Sequence, residues 1–397
     1  MVVNGHKNEL PVTLTSIPMI KSQTRFGMKI LPFALNSKSH CIPFEPSLQE
    51  KYFDILKTDF SAVEAAILHM LQWKKEELFT MEMNLPFSSD GKRYYTWNRH
   101  LRDHFGFKVM KIALDAGFDC PNRDGTVAHG GCTFCSVAGS GDFAGDRVDS
   151  IPVQFDKIKE KMHRKWKDGK YMAYFQAYTN THAPLSVIKE KFEAALEQEN
   201  VIGLSIATRP DCLPDDVVDY LAELNERTYL WVELGLQTVH ERTALLVNRA
   251  HDFPSYVEGV TKLRNRGIRV CTHIINGLPL EDRDMMMETA REVAKLDVQG
   301  IKIHLLHLLK GTPMVKQYEK GMVEFLEKQD YIHLVADQLE VLPPEMVVQR
   351  ITGDGPIDLM IGPMWSANKW DVLNGIDAEL AERNSWQGKN YRECVNA

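Results

Sequence analysis

The chain has 397 residues, 44% of them hydrophobic and 25% charged, which is ordinary for a globular protein and long enough to bury a large core without disulfides. A formal net charge of −7 and a pI near 6.1 exclude a global basic field for nucleic acid, so any RNA contact has to come from a local patch. There is no run of ~18 apolar residues and no charged start followed by an apolar core and cleavage site, so neither a membrane span nor a secretion signal is expected and the cytoplasm is the predicted location.

In chain order, residues 1–80 read as a poorly specified extension. Pro11, Pro18, Pro32, Pro43 and Pro46 break it, and only 48–73 carries helical periodicity. Lys75, Glu76 and Glu77 back-translate as AAG-GAG-GAA, which contains a ribosome-binding sequence, and Met81 follows closely. The expected physiological start is therefore Met81; the alternative is a genuine small helical appendage. From Met81 onward β-rich runs recur at 108–114, 171–177, 201–208, 229–236, 268–275 and 300–306. Amphipathic stretches lie between them at 153–166, 186–198, 214–226, 253–266 and 281–296. Strands separated by helix-length segments predict right-handed βαβ units, a parallel sheet and an α/β fold curved towards a barrel. The core is placed at 81–342 and a C-terminal extension at 343–397, with helical stretches at 323–342 and 369–383.

Seven cysteines are present, and three fall within sixteen residues: Cys120, Cys132 and Cys135, spaced C-x11-C-x2-C. An odd, clustered set points to metal or redox chemistry instead of a disulfide framework. The cluster follows the first strand, where α/β barrels carry their chemistry. Three thiolates can hold three irons of a cubane cluster and leave the fourth open to a substrate, whereas most electron-transfer [4Fe–4S] sites use four cysteines. Gly130, Gly131, Gly139 and Gly141 suit a loop wrapped around an inorganic cube. The competing reading is a zinc knuckle completed by His129. Cys41, Cys212, Cys271 and Cys394 stand alone and read as small apolar fillers.

With these residues in view, the chain resembles the radical S-adenosylmethionine (SAM) superfamily, in the branch of the Elongator catalytic subunit. It is most similar there to the YtqA/YhcC-like family, also called MnmL-like. The phrases that carry the resemblance are YYTWNRHLRDHFGFKVMKIALDAGFDCPNRDG, AYFQAYTNTHAP, SIATRPDCLPDDVVDYLAELN, VELGLQTVHERTALLVNRAHD, HIINGLPLEDRDMMMETA and QRITGDGP. The resemblance spans about Met81 to the C-terminus. The long first cysteine gap departs from the superfamily's commonest C-x3-C-x2-C spacing.

The resemblance implies a partial (β/α)6 TIM-like barrel, with a [4Fe–4S] cluster on Cys120, Cys132 and Cys135 that reductively cleaves SAM to a 5′-deoxyadenosyl radical. It places Phe134 near the adenine, and Gln176 and Asn180 near the methionine amino group, since no Gly-Gly-Glu sequence is present. Arg209 becomes the expected bidentate partner of the SAM carboxylate. Glu233 and Gln237 are assigned to the ribose hydroxyls or the substrate. Asn276 and Gly277 are assigned to the backbone approach to the adenine, and His304 and His307 to the substrate side. Glu233 stands out on physical grounds as well, because a carboxylate in an apolar strand is costly without a partner. Asp211, Asp215 and Asp216 read as acids at a helix N-terminus.

Two cation-rich stretches, 92–108 and 157–170, are candidate RNA contacts, the first with Tyr94, Tyr95, Trp97 and Phe105 as possible base-stacking aromatics; the alternative for each is a solvated amphipathic face. The resemblance implies modification of the wobble uridine of tRNA, converting a carboxymethylaminomethyl group at C5 to aminomethyl, with flavodoxin or ferredoxin as electron donor. Two alternatives stay open: radical chemistry on a small molecule or protein, and a non-catalytic, metal-stabilised RNA-binding module.

Overall fold

A computed structural model describes residues 90–164 and 169–391. The 1–80 extension with its expected helix, the start at Met81, Cys41, Cys394 and part of the 157–170 stretch lie outside the described residues.

Seven parallel strands form one sheet. Their spatial order is β1 (Val109–Leu114), β2 (Lys170–Phe175), β3 (Val201–Thr208), β4 (Tyr229–Gln237), β5 (Arg269–Asn276), β6 (Gly300–Leu305) and β8 (Val347–Arg350). Helices α2 (Ile151–His163), α3 (Leu185–Leu196), α4 (Asp215–Arg227), α6 (Phe253–Arg264) and α7 (Arg283–Ala294) connect the strands, with a short α5 (Glu241–Leu246) before α6. Apolar side chains of one strand face, among them Ile112, Leu114, Phe175, Ile206, Val232 and Ile303, pack with helix residues such as Phe192, Leu221 and Val293 into the main core. The opposite face curls in on itself. Lys111 on one edge strand donates to Gln349 on the other at 2.8 Å, a contact that a flat seven-stranded sheet does not allow. The result is the expected partial barrel.

Helix α1 (Trp97–Phe105) closes the N-terminal mouth of this barrel. Thr96 caps it by accepting from the Arg99 N–H at 3.1 Å, and Gly106 ends it in the left-handed region at φ 75°. Leu101 joins Val109, Met172, Trp231, Cys271 and Val347 in a second apolar cluster on the barrel floor, and Trp97 meets Trp231 edge to face at 5.4 Å. This corrects the base-stacking reading of 92–108. Tyr94 is buried, and Tyr95, Trp97 and Phe105 are half-buried against the core, because their apolar area closes the barrel instead of facing solvent.

The other departure is at the C-terminal end. β8 comes from the segment assigned to an extension, and it makes the sheet seven strands wide. Four residues between Pro343-Pro344 and ITGDGP are too few to show an alternating pattern, so pairing with β6 decides their state. A two-stranded antiparallel pair, β7 (Leu308–Leu309) with β9 (Met360–Gly362), lies in the same region as α8 (Met314–Glu319). Helices α9 (Lys328–Val341) and α10 (Lys369–Glu382) pack on each other beyond it.

Candidate active site

The cysteines lie on the long loop between β1 and α2. Gln154, buried in α2, pins the ends of that loop: it accepts from the Asp115 N–H at 2.9 Å and donates to the Asp115 and Asp149 carbonyls at 2.8 and 3.0 Å. A turn closes on Cys120, whose carbonyl accepts from the N–H groups of Arg123 and Asp124, and Cys135 N–H donates to the Cys132 carbonyl at 3.0 Å. The segment after α5 supports the loop from outside. Asn122 donates to the Asn248 carbonyl at 2.5 Å, Asn248 donates to the Gly131 carbonyl at 2.8 Å, and Thr133 N–H donates to the Val247 carbonyl at 2.9 Å. Two glycines are required by space as well as by φ. A Cβ on Gly131 (φ 75°) would meet the Arg123 side chain at 2.8 Å, and one on Gly139 (φ 57°) would meet the Tyr178 ring at 2.5 Å.

All three thiols are free and half-buried, and all three line one wall of a single cavity that runs down into the barrel. They fit a cluster. Asn122 donates towards Cys132 Sγ at 3.5 Å, and Ser140 lies 3.7 Å from Cys135 Sγ. A hydrogen bond from Cys132 draws the Cys135 thiol down to about 7, with Ser140 and the Arg123 guanidinium contributing. Among the described residues no fourth cysteine lines the cavity, and no three His, Cys, Asp or Glu side chains converge as a single-ion site. The zinc knuckle is not assembled: the exposed His129 ring packs over Gly125 and is absent from the cavity wall.

The inner end of the cavity is polar. Side chains alternate along each strand, so positions between the apolar core residues turn inward: Lys111, Tyr174, Ser205, Glu233, His273, Lys302 and Gln349. Glu233 is the hub, with its side chain fully buried. It accepts from Lys111 at 2.8 Å, Ser205 at 2.5 Å and His273 at 2.8 Å, and it pairs with Lys302. Burial alone would push its carboxyl up, but the ammoniums of Lys111 and Lys302, with His273, hold it well below the usual carboxylate range. Burial brings Lys302 down to about 8 despite Glu233, and brings His273 to about 4, with Lys302 adding to the effect. Burial, then His273 and Arg350, drives His304 well below the ordinary imidazole value, and burial takes His307 to about 4. The imidazoles are therefore neutral at pH 7 beside a charged Lys–Glu–Lys cluster.

Comparisons with known proteins give the family and the fold. A family model described as the radical SAM superfamily matches residues 124–293, and one described as the Radical_SAM C-terminal domain matches 298–382. YtqA of Bacillus subtilis (strain 168) is 76% identical over 307 residues, covering 77% of this chain and 95% of that protein. The chain belongs to the radical SAM superfamily. YhcC of Escherichia coli (strain K12) is 40% identical over 283 residues, covering 71% and 90% of the two chains. The archaeal Methanocaldococcus infernus Elp3 shares the fold, with TM-score 0.54 and 15% identity over 72% of this chain and 67% of that one. As a radical SAM enzyme the chain uses a [4Fe–4S] cluster and SAM. No helix among the described residues is long and apolar enough to cross a membrane.

Within this radical SAM barrel the expected site residues divide into two groups. Cys120, Cys132, Cys135, Phe134, Gln176, Arg209, Glu233, Gln237, His304 and His307 all line the cavity. Gln176 donates to the Ser140 carbonyl at 2.8 Å, and Gln237 sits at a bulge with φ 64° and a buried Oε1 that has no partner. Asn180, Asn276 and Gly277 do not line the cavity. Asn180 donates to the carbonyls of Phe175, Ala177 and Ala207, holding the turn after β2. Asn276 exchanges hydrogen bonds with Gln338 of α9 at 2.8 and 2.9 Å, because alternation along β5 turns Ile275 to the cavity and Asn276 to the helices. Gly277 N–H faces Met286 Sδ at 3.1 Å.

Arg209 lines the cavity, but its fork is occupied. Asp211 takes Nε and Nη2 at 2.9 and 2.7 Å, and the carbonyls of Arg249 and Ala250 take two more N–H groups. One of its five N–H groups remains, so a bidentate grip on a SAM carboxylate is not available without breaking the Asp211 pair. Asp211, read as a helix acid, is that partner. Sequence reasoning missed Lys111, His273, Lys302 and Arg350. For Lys111, His273 and Lys302 the signal was a cation or imidazole within an otherwise apolar strand, the same signal that singled out Glu233, whereas the four-residue β8 gives none for Arg350.

Proposed function

We propose that Cys120, Cys132 and Cys135 hold the [4Fe–4S] cluster and that the enzyme modifies the C5 side chain of the wobble uridine in tRNA, converting carboxymethylaminomethyl to aminomethyl. The observation that carries the site assignment is the single cavity joining three half-buried thiols at its mouth to the Glu233 cluster at its inner end. When bound, the cluster would supply the electron that cleaves SAM reductively; the 5′-deoxyadenosyl group would take one hydrogen from the methylene next to the carboxylate, and return of one electron to the cluster with addition of water would release the two carbons as glyoxylate and leave the amine. The protein's own part is to position the reactants and exclude water. Phe134, packed on an apolar cluster with Leu278 and Leu306, offers a face to the adenine. Gln176 and Gln237 present amide groups to polar parts of SAM, and His304 and His307 face the substrate side.

The tRNA assignment is supported by a relative whose name places its action on uridine 34 of tRNA, and Elongator complex protein 3 matches a similar share of the chain. The tRNA uridine(34) acetyltransferase of Methanocaldococcus jannaschii is 21% identical over 179 residues, and Elongator complex protein 3 of Mus musculus is 30% identical over 164. A low-potential flavodoxin or ferredoxin serves as electron donor, and the reduced thiols suit the cytoplasm. Mass spectrometry of wobble nucleosides in cells with and without the gene tests the substrate: carboxymethylaminomethyl-uridine is expected to accumulate without it, and unchanged nucleosides refute the assignment. Deuterium on the methylene next to the carboxylate is expected to appear in 5′-deoxyadenosine; its absence excludes that carbon as the hydrogen source.

A further inference from the structure

The barrel is open along one side. β1 and β8 are the two edges of the sheet, and the Tyr95–Thr96 segment covers the outer edge of β8 only near its start, where Val348 N–H donates to the Tyr95 carbonyl at 2.8 Å. Above that bridge a second cavity opens beside the first and shares walls with it at Tyr174, Lys302 and Arg350. Lys302, Arg350 and Asp354 line both cavities; Glu233 lines the first only, and Lys111 and Lys369 the second only, with Asp358 at its exposed rim. Glu233 is committed to Lys111 and Lys302, and Asp354 to Lys369 at 2.7 Å. Arg350 is left with a long 3.5 Å contact to Asp354, although its side chain is only 33% exposed.

The chain around Arg350 is shaped to the cavity. A Cβ on Gly353 would meet His307 Cε1 at 2.8 Å, and one on Gly355 would meet His307 Nδ1 at 3.0 Å, so the backbone of this loop lies directly against the imidazole. His307 Nε2 and His304 Nε2 are both buried without a partner on the cavity wall. A charged fork with a weak partner, beside two unpartnered imidazole nitrogens, is a receptor for an anion.

We propose that Arg350, with His307 beside it, receives a carboxylate of the substrate and is the residue that selects carboxylate-bearing substrates. The inference rests on the reading above, in which the substrate arm ends in a carboxylate. The planar guanidinium matches a carboxylate edge in bidentate fashion. It also lines both cavities, so the end of a side chain entering either one reaches it.

The test uses the reconstituted holoenzyme and two anticodon stem-loop RNAs that differ only in a wobble side chain ending in a carboxylate or an amine. Wild type is expected to bind the carboxylate RNA about 10- to 100-fold more tightly, the range of one charge-assisted hydrogen-bonded pair. Arg350→Gln is expected to reduce that ratio to near one, and Arg350→Lys to keep part of it. Iron content and urea midpoint show that the variants are folded and loaded. A preference that survives in Arg350→Gln overturns the inference while leaving the tRNA assignment standing, as does a wild type that converts the carboxylate RNA without preferring it. If wild type neither binds nor converts either RNA, the tRNA assignment falls, and the wall is judged with free N-methylglycine. Saturable binding lost in Arg350→Gln supports the carboxylate receptor, whereas no binding, or equal displacement by inorganic phosphate, overturns it.

Discussion

Replacing Glu233 by glutamine isolates the electrostatics of the barrel interior. The amide keeps the size and can still accept from Ser205, but it leaves the buried ammonium of Lys302 and the half-buried one of Lys111 without their shared counter-charge. Removing one partner of a buried ion pair costs about 3–5 kcal/mol. Lys302, already down at about 8 through burial, limits the loss, because without Glu233 it can shed its proton at pH 7. A destabilisation of about 3 kcal/mol at pH 7 follows. The sign with pH is fixed by the same group. Between about 8 and its ordinary 10.5, Lys302 is neutral in the folded protein and protonated in the unfolded chain, so its contribution to stability rises with pH across that window. In wild type the charged Lys302–Glu233 pair dissolves there, and the penalty of Glu233→Gln is expected to shrink by pH 9. Anaerobic urea unfolding of loaded protein at pH 7 and pH 9 measures both values. Glu233→Gln/Lys302→Met, which removes an uncompensated cation, is expected to recover much of the loss. A penalty below about 0.5 kcal/mol at pH 7, the scale of an ordinary surface substitution, or one that grows with pH, refutes the reasoning.

Serine at Cys132 is expected to abolish cluster retention and SAM cleavage, read by iron content and 5′-deoxyadenosine after anaerobic reconstitution. Gly139→Ala forces a side chain into the left-handed region and against Tyr178, and is expected to cost about 1–3 kcal/mol and to lower iron loading. His273 is about 4 in the folded protein against an ordinary 6.5, so stability falls as pH drops from about 6.5 to about 4, by at most about 3 kcal/mol. His273→Gln is expected to flatten that part of the acid limb in urea midpoints. Trp97→Ala opens the floor of the barrel, and is expected to cost about 2–3 kcal/mol, since the indole is only partly buried, seen as a lowered thermal midpoint.

Much of this organisation was legible from residue order. The six longer strands and their helices follow from the alternation of apolar runs; strand bounds differ by a residue or two and helix bounds by up to three, while the stretch read as helical from 323 becomes a helix only at Lys328. The cysteine loop was visible as a spacing after a strand. What was not legible depends on closure of the sheet. Lys111 and Glu233 are 122 positions apart and meet only because the sheet curls. Arg209 was read as available to a ligand because Asp211, two residues on, was assigned to a helix N-terminus, yet Asp211 folds back to fill the fork. The aromatics of 92–108 resemble an RNA surface in sequence, and only the open N-terminal mouth of the barrel explains why they turn inward. Asn276 was assigned to the ligand side, but the two-residue period of β5 turns it towards Gln338.

The floor laid by α1 has a consequence for molecular traffic. With Leu101, Trp97 and Trp231 packed across the N-terminal mouth, the interior formed by the described residues is closed on that side and opens towards the cysteine loop and the slot between the sheet edges. The target atom of a base stacked inside a nucleic-acid helix does not reach such an interior. A polymeric acceptor must therefore extend a single nucleotide out of its stack, at a cost of a few kcal/mol, and is favoured where that nucleotide already stands unpaired in a loop.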